Sequence, residues 1–228
     1  MQELKILDKG TENVVKMHEK WKLLRNSSVN IAGNSNSITI GERCRFDGIK
    51  IIVSGDNNKL VVGNNVLLTG TISLLGDAHV EIGNNTTVGM CNFAAYKGRI
   101  RIGKYCMFAR GIEIRTTDSH PIYDLRTKKR INSEADVFID DYVWCGTRVT
   151  VVKGAHIAKS SIVALGSVVT KKFDPFCLIG GIPAKVLRRD VTWSRWTANE
   201  VLAEDKVASM YTADWNGEDP EATSLEPT

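Results

Sequence analysis

The stretch TTDSHPIYD, from Thr116 to Asp124, places Asp118, His120 and Asp124 beside Pro121. An imidazole with a reference pKa of about 6.5 can take or give a proton near neutral pH, so His120 is a candidate general base. Asp118 or Asp124 can accept a hydrogen bond from the other ring nitrogen and fix the tautomer, Asp118 at i−2 being the preferred partner. Both aspartates can equally serve as turn caps. The other histidines, His18, His79 and His156, read as structural or surface residues. No two of the four histidines are closer than 36 residues and no HxxxxH pair exists, which argues against a three-histidine zinc site; no metal is expected. The five cysteines, Cys44, Cys91, Cys106, Cys145 and Cys177, are odd in number and form no CxxC, so they read as small buried thiols.

What positions His120 is a repeat that stops around it. Stepping by six from Ile139 gives Cys145, Val151, Ile157, Val163 and Val169, all apolar. The residues four places after the first five are Val143, Val149, Ala155, Ser161 and Ser167, all small or β-branched. Neither a helical period of 3.6 nor a strand period of 2 produces this pattern. The N-terminal half carries the same units with interruptions, as in VGNNVL at 62 and IGKYCMFARGIE at 102, and Gly63, Gly83 and Gly103 recur at intervals of 20. The physical reading is a β-solenoid. Each hexad makes a short strand and a bend, the aliphatic residue points inward, and Gly or Asn accepts the positive φ of the corner. A single coil cannot bury its apolar side, so the coils must stack. From about 115 to 136 the hexads lapse, and a loop of that length in a compact domain is usually functional or disordered.

Outside the repeat, residues 11–26 put Val14, Met17, Trp21 and Leu24 on one helical face, which predicts a short N-terminal helix. TANE at 197–200 is a capping box that predicts a second helix near the C-terminus. The expected organisation is an N-terminal helical segment over 1–29, a repeat domain over 30–190, and a C-terminal helix with an acidic tail over 191–228. Hydrophobic residues at 43% and charged residues at 25% make an ordinary globular balance. There is no apolar run long enough to span a membrane, and the N-terminus lacks a secretory signal core, so a cytoplasmic location is expected. The net charge of +4 is uneven. The residues after Ala213 hold five acids and no base, and basic clusters stand at Lys128-Lys129-Arg130, Lys171-Lys172 and Arg188-Arg189. Such clusters suit a phosphorylated cofactor or an acidic glycan.

These hexads resemble those of the hexapeptide-repeat acyltransferases over about residues 30–190. DSHPIYD resembles the loop that carries the catalytic histidine in the family's sugar and polysaccharide O-acetyltransferases. IDDYVWCGTRVTVVKGAHI and IVALGSVVTKKFDPFCLIGGIPAKVLRR are similar to the C-terminal coils of maltose, galactoside and capsular-sugar acetyltransferases. The resemblance implies a left-handed parallel β-helix and a homotrimer with active sites between subunits. It also implies direct transfer from acetyl-CoA to a hydroxyl of a surface polysaccharide or its precursor, and the basic charge would suit an acidic polymer such as one bearing sialic acid. His120 would be the general base. Trp144 would donate its indole N–H to the oxyanion, with the backbone N–H of Gly146 or Thr147 as the competing donor, or else serve as a platform for the sugar or the pantetheine arm. By the same resemblance Gly146, Thr147 and Leu165 line the pantetheine, while Thr170, Lys171, Lys185 and Arg188 lie toward the nucleotide. Tyr123 and Asp124 are assigned to the acceptor. No nucleic-acid partner is indicated. An acetyltransferase for an amino sugar or an antibiotic, and a non-catalytic β-helix scaffold, are the alternatives.

Overall fold

The computed structural model describes residues 3–195. Over this span the chain is a parallel β-solenoid, and no helix occurs among the described residues. The chain visits three faces in turn. The first face opens with Leu4–Asp8 and the third with Lys22–Arg25. The second is an eight-stranded parallel sheet running from Val14–Met17 to Lys172–Phe173, so the solenoid has about eight coils. Antiparallel pairing closes the stack where Ala184–Arg189 folds back on Cys177–Gly181.

The hexad phase is the inside of this solenoid. Ile139, Cys145, Val151, Ile157, Val163 and Val169 are all fully buried, as are the corner residues Val143, Val149, Ala155, Ser161 and Ser167. The inward rows fuse into one continuous core, as expected of a fold in which each coil contacts only its neighbours. All five cysteines are free and buried in it. Burial pushes the Cys106 thiol up to about 12 and the Cys145 thiol well above the ordinary range, which leaves neither as a nucleophile.

The high Asn content is explained by ladders at the corners. Asn58 donates its side-chain amide to Asn36 Oδ1 at 2.9 Å, and Asn36 donates to Asn13 Oδ1 at 3.0 Å. These stacked amides satisfy corner N–H groups that would otherwise be buried unpaired. Coil length can be read from the same ladders. The spacing is 23 residues between Asn13 and Asn36, 22 between Asn36 and Asn58, and 20 between Asn58 and Ala78. It jumps to 37 between Arg99 and Asp136, where the loop over about 115–136 is inserted, and falls to 16 between Ser161 and Cys177.

Residues 11–26 do not form the expected helix. They form the strands Val14–Met17 and Lys22–Arg25 of the first full coil, paired with Ser37–Ile40 and Arg45–Asp47. Val15, Met17, Trp21 and Leu23 pack against the core, and the Trp21 ring lies 5.6 Å from Phe46. Apolar residues that can share one side of a helix here lie on two different faces of a triangular coil. His18 therefore sits at a corner, not in a helix. The predicted C-terminal helix and the acidic tail lie outside the described residues.

Gly70 marks a place where coils approach too closely for any side chain. Its φ is +107°, and a Cβ there would sit 2.2 Å from the Cys91 carbonyl oxygen. Gly70→Ala should destabilise the fold by about 2 kcal/mol or more. Denaturant unfolding would read this as a lowered midpoint; an unchanged midpoint would show that the coils can shift.

Candidate active site

The solenoid delivers His120 from the end of the strand Ile112–Arg115, and regular pairing resumes at Val137–Ile139. Thr116 closes the base of the loop. Its hydroxyl donates to Tyr96 O at 3.0 Å and accepts the Tyr96 N–H at 2.8 Å, while the Ala135 N–H donates to Thr116 O. Between these points the chain makes a small antiparallel excursion. Tyr123 bridges Arg130, the Ile131 N–H donates to Ile122 O, and Ser119 takes a φ of +68° to turn the chain into His120.

One buried side chain holds this excursion together. Asn132, 8% exposed, accepts the Ile122 N–H at 2.7 Å on Oδ1. Its amide donates to the His120 carbonyl at 2.8 Å and to Asp118 Oδ2 at 2.9 Å. Lys153, from the following coil, adds an ion pair to Asp118 Oδ2 at 2.6 Å and donates to the carbonyls of Asn132 and Ser133 at 3.0 Å. The backbone on both sides of His120 is thus fixed, since its N–H also donates to Asp118 O at 2.8 Å, while the residue itself is exposed. Hydrogen bonding to Lys153 and then to Asn132 holds the Asp118 carboxyl below the usual carboxylate range. Sequence reasoning missed Asn132 and Lys153. Asn is common throughout this chain, and Lys153 occupies an ordinary hexad, so nothing in type or spacing singles them out.

Asp124 is occupied locally. Its Oδ1 accepts the N–H groups of Thr127 at 2.7 Å and Arg126 at 2.9 Å, and these bonds lower its pKa. It caps the tip of the loop, beside the exposed Tyr123 and the cations Arg126, Lys128 and Lys129. His156 is paired with Asp140 at 2.9 Å on the second face.

Trp144 lies further along the same coil, in the two-residue strand Trp144–Cys145 of the third face. It is 37% exposed, whereas Cys145 points inward and is fully buried, as the hexad phase requires. The Gly146 N–H donates to Val163 O at 2.8 Å, so the ladder has already claimed it. Gly146 is also cramped, since a Cβ would lie 2.8 Å from the Leu165 backbone nitrogen. Thr147 and Leu165 occupy adjacent coils at the corner between the third and first faces, tied by the Gly166 N–H donating to Thr147 O at 2.8 Å. Leu165, Ile182 and Leu187 are 77%, 76% and 60% exposed on the last coils. Lys185 and Arg188 extend from the neighbouring hairpin strand Ala184–Arg189. Thr170 and Lys171 fall elsewhere, at the corner leading to the second face, where the Lys171 amine sits over the Phe173 ring. A cavity of about 570 Å³ on the second face, lined by Glu81, Arg101, Asp140 and Lys159, includes none of these residues. Among the described residues no group of three or more His, Cys, Asp or Glu side chains is arranged to hold a metal ion. No described helix is long and apolar enough to cross a membrane.

Against this geometry stand the comparisons with known proteins. The polysialic acid O-acetyltransferase of Neisseria meningitidis is 36% identical over 207 residues, covering 90% of this chain and 96% of that protein. The polysialic acid O-acetyltransferase of Escherichia coli O1:K1 is 35% identical over 153 residues, but the chain spans only about half (50%) of its length. Among solved structures, that of the polySia-specific acetyltransferase NeuO superposes with a TM-score of 0.83 at 31% identity, covering 95% of this chain and 94% of that one. No family model matches the chain.

Proposed function

The protein belongs to the polysialic acid O-acetyltransferases, a hexapeptide-repeat family, and from that premise we propose that it transfers acetyl from acetyl-CoA to a hydroxyl of a sialic-acid-containing capsular polysaccharide. The observation that carries this reading is the 37-residue coil, which leaves the repeat to hold an exposed histidine on a backbone clamped by Asn132 and Lys153. A polysaccharide hydroxyl is a poor nucleophile. The His120 imidazole takes its proton as the oxygen attacks the thioester carbon, and the Trp144 indole N–H donates to the developing oxyanion. Collapse breaks the C–S bond, and the departing CoA thiolate takes the proton back from the imidazolium, which restores neutral His120. Both substrates react directly, so the buried cysteines are not needed.

Asp118 contributes by position. Its Oδ2 is engaged by Lys153 and Asn132, so it braces the backbone that carries His120. Tyr123, with the loop tip that Asp124 caps, faces the acceptor, and Arg126, Lys128 and Lys129 supply positive charge for a polymer that carries carboxylates. The exposed apolar edge of Thr147, Leu165, Ile182 and Leu187, beside the cramped Gly146, suits a pantetheine arm. Lys185 and Arg188 suit the phosphates at its far end. Thr170 and Lys171 stand at a different corner, and they join the nucleotide site if a neighbouring copy completes it. A homotrimer with the site between solenoids accommodates that division. The five free thiols fit a reducing, cytoplasmic setting.

Thiol release from acetyl-CoA, measured with polysialic acid and with neutral glycans and followed by mass spectrometry of the product, tests the reading. Turnover on antibiotics or amino sugars and none on the acidic polymer would overturn it. Lys185→Ala with Arg188→Ala should weaken acetyl-CoA binding by about tenfold or more and slow chemistry less. Unchanged calorimetric affinity for CoA would move the nucleotide elsewhere.

A further inference from the structure

After the strand Ala184–Arg189 the chain turns back over coils it has already built, and its contacts follow one corner. The Val191 N–H donates to Phe176 O at 3.0 Å. The Trp193 indole N–H donates to Tyr142 O at 2.8 Å. Arg195 Nη2 donates to Tyr105 O and Cys106 O at 2.9 Å and reaches Asn85 O at 3.4 Å, while Nη1 donates to Thr87 Oγ1 at 3.1 Å. Phe176, Tyr142, Tyr105 and Asn85 are all corner residues with φ of 56° to 58° between the second and third faces. The segment is therefore a strap fastened to successive coils and running against the direction in which they were laid down.

The strap carries an aromatic ring to the back of Trp144. Trp193, 6% exposed, stacks on Tyr142 with centroids 4.6 Å apart, and its centroid lies 5.9 Å from that of Trp144. With Tyr142 and Ile162 it forms a small cluster separate from the solenoid core, joined by Tyr105, Met107, Leu178 and Val191. Trp144 needs such a wall. Its two-residue strand fixes its backbone but not its side-chain torsions, and its ladder neighbours Met107 and Ile162 carry no aromatic ring. A donor acts on an oxyanion only if it is aimed before the reaction, and misplacement by about 1 Å can cost on the order of a hundredfold in rate.

We propose that Trp193 is a positioning residue for acetyl transfer: packed between Tyr142 and Trp144, it holds the Trp144 indole where its N–H meets the reacting carbonyl. Arg195 locks the strap that carries it. This rests on the reading of Trp144 as the donor.

The test uses full-length protein labelled with 5-fluorotryptophan, the Trp144 fluorine resonance being assigned with Trp144→Phe, together with steady-state kinetics on acetyl-CoA and polysialic acid. Trp193→Ala should shift or broaden the Trp144 resonance and lower kcat by about 10- to 100-fold, with both KM values within about threefold. Trp193→Phe, which keeps a ring on Tyr142, should recover kcat to within about fivefold. If the alanine variant does not fold, Trp193→Leu fills part of the space without a ring and carries the same expectation. An unmoved Trp144 resonance, or a moved resonance with kcat unchanged while Trp144→Phe is impaired, overturns the proposal alone. An unimpaired Trp144→Phe overturns it together with the donor reading. Absence of turnover in the unsubstituted protein on every acceptor refutes the proposed activity instead, and the fluorine resonance then still decides whether Trp193 holds the indole.

Discussion

His120→Ala is expected to lower kcat for acetyl transfer by at least about a hundredfold while leaving the fold and acetyl-CoA binding intact. The imidazole is exposed and carries no part of the core. The bonds that hold this residue are made by its backbone, from its N–H to Asp118 O and from Asn132 to its carbonyl, and alanine keeps both. Added imidazole should restore part of the lost rate if the deficit is one of proton transfer. The pH profile separates the base from its anchor. Asp118 has its pKa lowered in the folded protein, chiefly by Lys153, so its anchoring is fully present above the unfolded carboxylate value of about 3.9 and is lost only as pH falls through its lower folded value. Between pH 5 and 9 Asp118 stays ionised, so a rising limb in that window does not come from the anchor. His120→Ala with near-normal turnover, or the same rising limb surviving in it, would refute the base assignment.

How much of this was legible before folding depends on how local the information is. The solenoid could be read because its core is one-dimensional. The burial of Ile139, Cys145 and Val151 follows from a phase written every six residues, and the loop is visible as the place where that phase is lost. The first coil was misread because its strands are longer and its spacing is 23 residues, so Val14, Met17, Trp21 and Leu24 satisfied a helical face without an internal repeat to contradict them. The stacked amide of Asn13 under Asn36 is what places that segment in the solenoid. The site was half legible. His120 and Trp144 stand out by type and position. Asn132 and Lys153 act through carbonyls and a carboxylate that no local pattern marks. The strap is more remote still, since Trp193 bonds a carbonyl 51 residues away and Arg195 reaches ones up to 110 away. Its role exists only once the coils are stacked.

Trp144→Phe is the substitution that separates the roles open to that side chain, and a fall in kcat of about a hundredfold is expected, with the KM for acetyl-CoA within about twofold. Phenylalanine keeps a flat ring against Trp193 and keeps the backbone bonds that place the strand, including the Trp144 N–H to Ser161 O, but it has no N–H to donate. A donor to the oxyanion makes its strongest contact in the transition state, so its loss falls on kcat rather than on binding. A stacking platform for sugar or pantetheine predicts the reverse: Phe retains most of the rate, and Ala raises a KM. The Gly146 N–H cannot cover for the missing indole, because Val163 O already holds it in the ladder. A Phe variant within about threefold of normal kcat would therefore assign the oxyanion to another donor, with the Thr147 N–H the nearest candidate along the same coil. Trp144 would then remain in the site as a surface on which substrate rests.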